Sequence, residues 1–169
     1  MNNVSHSPDR LKPAGGVRSV ILTPAVNVRN VLFHMAGNKW LRCNMVDEEQ
    51  AMNCTLVEDR SSFEEQLTDD EGLVSVRHRL RLVSDRNFAE HWLDEGFVEE
   101  CRRDGVVAIA TLGDGRMVLV GYSQKFCGEQ PLRLKSLTVR SGSKPSDVPT
   151  VEMVLESVDT SFAVFQNPK

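Results

Sequence analysis

Apolar and polar residues alternate with a period of two along much of this chain. The alternation is clearest in residues 73–83, where every second residue is Val, His or Leu and the residues between them are Ser75, Arg77, Arg79 and Arg81. A strand that buries one face requires this period. The pattern therefore predicts a long strand with one face in the core and one basic face.

Two apolar runs, residues 106–112 and 117–122, are separated by the turn-forming sequence Gly113-Asp114-Gly115-Arg116. Both runs are apolar at almost every position, which is typical of strands that are buried on both faces. Asp-Gly tolerates the positive φ angles of a type I′ turn, and that turn matches the twist of antiparallel neighbours. The segment predicts a central β-hairpin closed by such a turn.

Further strands are predicted where β-branched and apolar residues lie between turn residues. They are residues 17–23, 26–35, 40–46, 52–57, 61–67, a strand that opens at Pro131, a strand around 151–155, and residues 161–165. In the strand that opens at Pro131, Leu132 and Leu134 have the opposite parity from Leu137 and Val139. A β-bulge near residues 135–136 would bring all four to one face.

One helix is predicted, over residues 85–103, with Ser84 or Asp85 as its N-cap. Residues 94–96, Asp-Glu-Gly, can kink or split it. The segment ends with two arginines, and Gly105 follows shortly after them. Cations in the last turn and a glycine just beyond it are the usual signals for a helix C-terminus.

These elements indicate a mainly β fold of eight to ten strands with one inserted α-helix. We expect an antiparallel β-barrel or β-sandwich, since closure protects strand edges. An open α+β sheet with the helix on one face is the alternative. The 169 residues suit one domain. Residues 1–16 are rich in Asn, Ser, Pro and Gly and are expected to form a flexible arm, followed by one β-rich domain over 17–169.

Charge and cysteine content narrow the function classes. Twenty Lys and Arg against 24 Asp and Glu leave a net charge of −4, which disfavours a specific nucleic-acid binder. No apolar run reaches the length of a membrane span, so no membrane association is expected. The spacing of Cys43, Cys54, Cys101 and Cys127 matches no metal or redox motif. We expect reduced thiols and a cytoplasmic location.

No catalytic or cofactor-binding motif stands out. The serine elbow GxSxG and both phosphate-binding glycine loops are missing from the sequence. Cys127 is the thiol expected to be accessible, but no base accompanies it. His78 has the apolar parity of its strand and is expected in the core or an interface, and His91 with Glu95 is expected to be a surface pair on the helix. We therefore expect no enzyme, no metal and no cofactor.

A basic stripe is the surface feature that calls for a partner. Its members lie on two predicted strands: Arg77, Arg79, Arg81, Arg133 and Lys135. Single-strand nucleic-acid binders interleave such charge with aromatic residues, which make up only 6% of this chain. We expect the cations to meet Glu152, Glu156 or the acidic 47–72 segment, across neighbouring strands or across a subunit interface.

The C-terminal half, residues 79–162, carries a resemblance to a known class. Its order of elements is a long strand RHRLRLV, one helix, the hairpin VVAIATLGDGRMVLVGYS and the tail EQPLRLKSLTVRSGSKPSDVPTVEMVLESVDTSF. This order resembles small structural proteins of phage-tail-like or prophage particles, including tail-tube-type subunits. The resemblance implies a non-enzymatic virion component, cytoplasmic or assembled in such a particle, whose partners are itself and other particle subunits.

A second hypothesis comes from the fold class alone. A monomeric β-barrel can hold a small ligand in its mouth and would need no partner copy. The two hypotheses differ in what they require of the molecule. Self-assembly requires free strand edges and complementary charge, whereas the binding module requires a deep pocket with a few convergent polar groups.

Overall fold

Three antiparallel β-sheets stacked in layers make up residues 15–34, 39–125 and 130–166, the parts of the chain described by the computed structural model. The strands are β1 Val17–Pro24, β2 Val28–Phe33, β3 Trp40–Met45, β4 Met52–Cys54, β5 Ser62–Asp70, β6 Leu73–Asp85, β7 Val106–Leu112, β8 Met117–Val120, β9 Arg133–Arg140, β10 Thr150–Asp159 and β11 Val164–Gln166. One α-helix, α1 Glu95–Arg103, lies between β6 and β7. Short 3-10 turns occupy Ala25–Asn27, Glu48–Gln50 and Glu90–Leu93.

The middle layer is a five-stranded sheet in the order β11-β8-β7-β1-β4. One of its faces packs against the four-stranded sheet, ordered β5-β6-β10-β9, and builds the main core with α1. The two-stranded β2-β3 sheet packs on the opposite face, where Trp40 and Val31 meet Val107 and Leu119. β7 and β8 are therefore covered on both sides, which confirms the hairpin predicted from their continuous apolar runs.

The turn of this hairpin differs from the prediction. Asp114 does not adopt a positive φ, whereas Gly115 has φ +89°. Leu112 accepts a hydrogen bond from the N–H of Gly115 at 2.9 Å and donates to the carbonyl of Arg116 at 2.8 Å. This is a type I turn followed by a left-handed glycine, the usual three-residue hairpin loop. The type I′ prediction was wrong because the loop has three residues, Gly113, Asp114 and Gly115, whereas a type I′ hairpin loop has two.

The four-stranded sheet is organised around the long strand β6. All ten residues of β10 pair with β6, from Thr150 opposite Asp85 to Asp159 opposite Val76. The register between β9 and β10 shifts so that Val154 is opposite Ser136 and the next residue, Leu155, is opposite Leu134. The extra residue is Lys135, which confirms the predicted bulge.

The helical region is split. Asp94 caps α1 by accepting a hydrogen bond from the N–H of Phe97 at 3.2 Å, so the helix starts ten residues later than predicted. Asp85 instead closes a turn by accepting from the N–H of Asn87 at 2.8 Å. The split predicted at residues 94–96 is confirmed. The prediction that Ser84 or Asp85 caps the helix was wrong, because Asp94 provides a competing cap. The C-terminus follows the prediction, since Gly105 has φ +82°.

The observed class is mainly antiparallel β with one helix, as expected. It takes the layered, sandwich-like form rather than the barrel, since each sheet in the described residues has two open ends. Eleven strands replace the eight to ten predicted, and the last one starts at Val164 rather than at Ser161. Residues 1–14 of the predicted arm and residue 35, the end of the strand predicted over 26–35, lie outside the described residues.

Candidate functional site

The outer face of the four-stranded sheet, which points away from the core, holds most of the predicted stripe. β6 supplies Arg77, Arg79 and Arg81 to this face, and the adjacent β10 supplies Glu152 and Glu156. The residues between them, such as Leu80 and Leu155, point into the core and are fully buried. The alternation predicted for residues 73–83 thus places the arginines beside the two glutamates, as the period of two requires.

Glu152 is the most strongly bound member of this face. It accepts hydrogen bonds from Arg81 Nε at 2.7 Å and Arg81 Nη2 at 3.2 Å, and from Arg140 Nη1 at 2.6 Å. The bond from Arg81 is the largest cause that holds the pKa of Glu152 at about 2, below its ordinary value of 4.5. The same contact raises the pKa of Arg81. Two arginines from both neighbouring strands therefore keep this carboxylate ionised.

A second set of charged residues, near the Arg81–Glu152 contact, forms a row of alternating sign across the sheet. Glu64 on β5 is opposite Arg79, Arg79 is opposite Glu156, and Glu156 is opposite Arg133 on β9. Arg79 Nε lies 4.0 Å from Glu156 Oε1. Opposite charges on directly facing residues stabilise a sheet. Within the chain, Arg79 and Arg81 thus meet the glutamates that the sequence analysis paired with them, while the role of this face as a subunit interface stays a prediction.

The remaining members of the stripe are arranged differently. Arg77 faces Gln66 and Val158 rather than an acid. Arg133 donates from Nε to the carbonyl of Arg103 at 3.3 Å, which links the start of β9 to the end of α1. Lys135 is the bulged residue of β9 and is exposed. The structure therefore brings Arg79, Arg81 and the glutamates together and leaves Lys135 at the edge of the sheet.

The two edge strands of this sheet have opposite charge. β5, sequence SFEEQLTDD, has four acidic residues and no basic one. β9, sequence RLKSLTVR, has three basic residues and no acidic one. In the described residues no strand pairs beyond either of them. An unpaired edge is a template for pairing with another strand, and here the two templates are electrostatically complementary.

The two edges also run in opposite directions. Each of the three junctions in the order β5-β6-β10-β9 is antiparallel, so the direction reverses three times between β5 and β9. If a second copy lies beside the first in the same orientation, its β5 approaches β9 antiparallel. An even number of alternating strands therefore allows the sheet to continue across copies without breaking its pattern.

His78 lies in the interior on the opposite face of β6, at 3% exposure. Its Nε2 is 3.3 Å from Glu65 Oε1 and 3.2 Å from the carbonyl of Ser161. Two acceptors at one nitrogen require that Nε2 carry a proton. Ser157 Oγ is 3.4 Å from Nδ1, and Glu65 also accepts from the N–H of Ala163. The group fastens the crossover from β10 to β11 onto β5 and β6.

The other candidate residues are separated. His91 lies in the 3-10 turn and Glu95 starts α1, so the expected pair on one helix was wrong; the ring of His91 instead packs near Phe97, and burial lowers its pKa. Burial raises the pKa of Cys54 to about 11 and that of Cys101 to about 12. Both side chains are buried, and buried thiols in apolar surroundings are poor nucleophiles.

Cys127 lies outside the described residues, so its expected accessibility stays a prediction. The described residues contain no group of three or more His, Cys, Asp or Glu side chains able to hold a metal ion. Among these same residues, no helix has the length and apolar character needed to cross a bilayer.

A shallow groove beside α1 is one of several concave features in the described residues. It has a volume of about 280 Å³ and is lined by Leu22, Thr23, Pro24, Glu49, Gln50, Met52, Phe97, Glu100 and Val106. Its floor is mostly apolar, and its two carboxylates have no cationic residue among the lining groups. The volume is at the lower end of what small-molecule sites use.

Two residues of the charged face were missed by the sequence analysis. Glu64 was included only as part of the acidic 47–72 segment, and Arg140 was assigned no role. A pairing of the last two long predicted strands could have identified Arg140. An antiparallel hairpin of residues 133–140 with 150–159 places Arg140 opposite Thr150 and beside Glu152. The register that selects Glu64 as the partner of Arg79 is a property of the folded hairpin.

Comparisons with protein-family models, curated proteins and solved structures find no match to this chain. We therefore infer its function from the geometry and charge of the described residues.

Proposed function

We propose that this protein is a non-enzymatic structural subunit that assembles head to tail through its strand edges, as part of a phage-tail-like particle. The observation that carries the proposal is the pair of edges on the four-stranded sheet, acidic along β5 and basic along β9. The C-terminal half supports the particle assignment by its resemblance to tail-tube-type subunits.

Charge selects the mode of association. Pairing β5 with β5 of a second copy would bring eight carboxylates together, and pairing β9 with β9 would do the same for six cations. Facing like charges disfavour both arrangements by several kcal/mol. Pairing β5 with β9 joins opposite charges and leaves a free β5 and a free β9 at the two ends. Such a head-to-tail contact repeats, and it yields a ring if the rotation closes and a filament if it does not.

Exposed apolar residues strengthen the case for a partner at the acidic edge. Leu67, Leu73 and Val74 are exposed at the end of the β5–β6 hairpin. Leu73 and Val74 lie beyond the last residue pair between β6 and β10, Val76 with Asp159, and Leu67 is level with that pair. A two-stranded ribbon with exposed apolar side chains gains stability when a further strand covers it.

Sedimentation velocity over a range of protein concentrations tests the proposal. We expect species larger than the monomer at low ionic strength, and fewer of them in 1 M salt, where the screening length falls to about 3 Å. Asp70→Lys, at the end of β5, should weaken self-association by about tenfold or more. The matched control is Glu58→Lys, which makes the same charge change at an exposed loop position and should behave like the unsubstituted protein.

A chain that stays monomeric at millimolar concentration and low salt would overturn this function. The groove beside α1 would then favour the second candidate, a monomeric small-ligand-binding module, because it combines an apolar floor with two carboxylates. Cationic amphiphiles are the matching ligand class, and a rise in Tm on adding them would support that candidate. Phe97→Ala should abolish the rise.

A further inference from the structure

We propose that the junction between copies has one register, in which Glu64 of one copy lies opposite Arg140 of the next and Asp70 lies opposite Arg133. This inference rests on the proposed head-to-tail assembly and specifies its contact. It follows from the positions of β5 and β9 along the sheet, from the faces of their residues, and from their charge.

The two edge strands are offset along the sheet. Arg133, the first residue of β9, is level with Glu64, whereas Arg140 is level with Asp85, four residues beyond the start of β5. At the other end, Asp70 lies six residues beyond the level of Arg133. Two copies placed side by side without a shift therefore share only three residue levels. Full contact requires that one copy move along the strand direction.

The shift must be an even number of residues. A shift by an odd number would turn the apolar face of one edge toward the polar face of the other. Of the even shifts, four and six both bring seven residues of β5 opposite β9, whereas two and eight bring only five. Contact length thus leaves two candidates.

Side-chain chemistry separates these two candidates. A shift of four pairs Leu67 with Leu134 and Phe63 with Val139 on the inner face, but it joins no acid to a base. Glu65 lies opposite an apolar residue in both shifts, and Asp69 does so in the shift of six. A shift of six joins Glu64 to Arg140 and Asp70 to Arg133 on the outer face. It also puts Leu67 opposite Leu137 on the inner face and Thr68 opposite Ser136 on the outer face. Each of these is a favourable cross-strand pair.

The shift of six also has a reasonable geometry. Six residues correspond to about 20 Å along the strands, and four strands span about 19 Å across the sheet. In a ring of such copies, the strands would be inclined by about 45° to the ring axis. This angle is at the upper limit of the range found in closed β-sheets. The register is therefore compatible with an assembly that closes on itself.

A charge-swap experiment tests the pair at Asp70 and Arg133. Asp70→Arg and Arg133→Asp each place like charges at every junction, so each variant alone should associate at least about tenfold more weakly in sedimentation velocity. In an equimolar mixture, alternating copies place opposite charges at every junction, and association should return. Weak association of both single variants without recovery in the mixture would overturn the register and leave the head-to-tail function standing.

A cysteine experiment tests the same register by distance. Thr68→Cys protein mixed with Ser136→Cys protein should form an intermolecular disulfide under mild oxidation, since directly facing residues are within disulfide reach. The control mixture of Thr68→Cys with Thr138→Cys, two residues out of register, should stay uncrosslinked beyond the level of the unsubstituted protein. Crosslinking of the control pair in preference would overturn the register. If the unsubstituted protein does not self-associate at all, the proposed assembly function is overturned instead.

Discussion

The β7–β8 hairpin and the β5–β6 hairpin are built from the same motif and lie in opposite environments. The first lies in the middle layer, covered on both faces, and closes with a three-residue loop around Gly115. The second is the outermost part of its sheet, and it closes with two residues, Glu71 and Gly72, at φ +51° and +89°. Two positive φ angles define the type I′ turn, so the turn expected at the inner hairpin occurs at the outer one.

The two hairpins differ in how much apolar surface they bury and how much they expose. β7 and β8 have apolar residues on both faces and contribute to two hydrophobic clusters. The end of the β5–β6 hairpin extends past β10 and has acidic and apolar residues in contact with solvent. We expect substitutions in the inner hairpin to change the free energy of unfolding, and those at the outer hairpin to change self-association.

The largest expected effect comes from an aspartate in each hairpin. Val120→Asp buries a carboxylate at a position with 0% exposure and should lower the free energy of unfolding by about 4 kcal/mol or more. Leu73→Asp, at 76% exposure, should change it by less than about 0.5 kcal/mol. Urea denaturation measures both. Equal losses would contradict the division of roles between the hairpins.

A smaller difference is expected for glycine substitutions with the same backbone conformation. Gly121 has φ +93°, and a Cβ there would lie 2.7 Å from the carbonyl oxygen of Val106. Gly72 has φ +89°, and its Cβ would meet nothing within 4 Å. Both alanines incur about 1–2 kcal/mol of left-handed strain. Gly121→Ala alone adds a backbone clash, so it should lower Tm several degrees further than Gly72→Ala.

The smallest effect concerns the charges that fasten the base of the outer hairpin to β10. The pKa of Glu152 is held at about 2, so its ionised form stabilises the fold fully above about pH 4.5, and that contribution is lost as pH falls toward 2. Because Arg81 and Arg140 are partly exposed, we expect about 1 kcal/mol. Glu152→Gln should flatten the acid side of the stability profile. An unchanged slope in this variant would show that the pair contributes nothing.

Much of the fold could be predicted because it depends on local periodicity. The alternation in β6, the apolar runs of β7 and β8 and the parity change at Lys135 are each visible within a dozen residues. The helix start was misplaced because Asp85 and Asp94 are both good caps, and their competition is decided by packing. β5 was predicted to end at Leu67, since Asp69 and Asp70 disfavour strands, but pairing with β6 extends it to Asp70.

The candidate site was only partly predictable for a related reason. Composition and parity identify Arg79, Arg81 and the two glutamates as neighbours in the sheet. The opposite charge of the edges depends on the strand order β5-β6-β10-β9, in which residues some 70 positions apart become the two ends of one sheet. Strand order is a long-range property that no local window contains.

The contact between Glu65 and the crossover links the two sheets mechanically. Glu65 lies on the acidic edge strand and binds the N–H of Ala163, the residue just before β11, while His78 braces the same carboxylate. β11 is itself an edge of the five-stranded layer. Tension applied to β5 by an attached neighbour would therefore pass through one side chain into a different layer of the molecule, so that load on one sheet is shared by two.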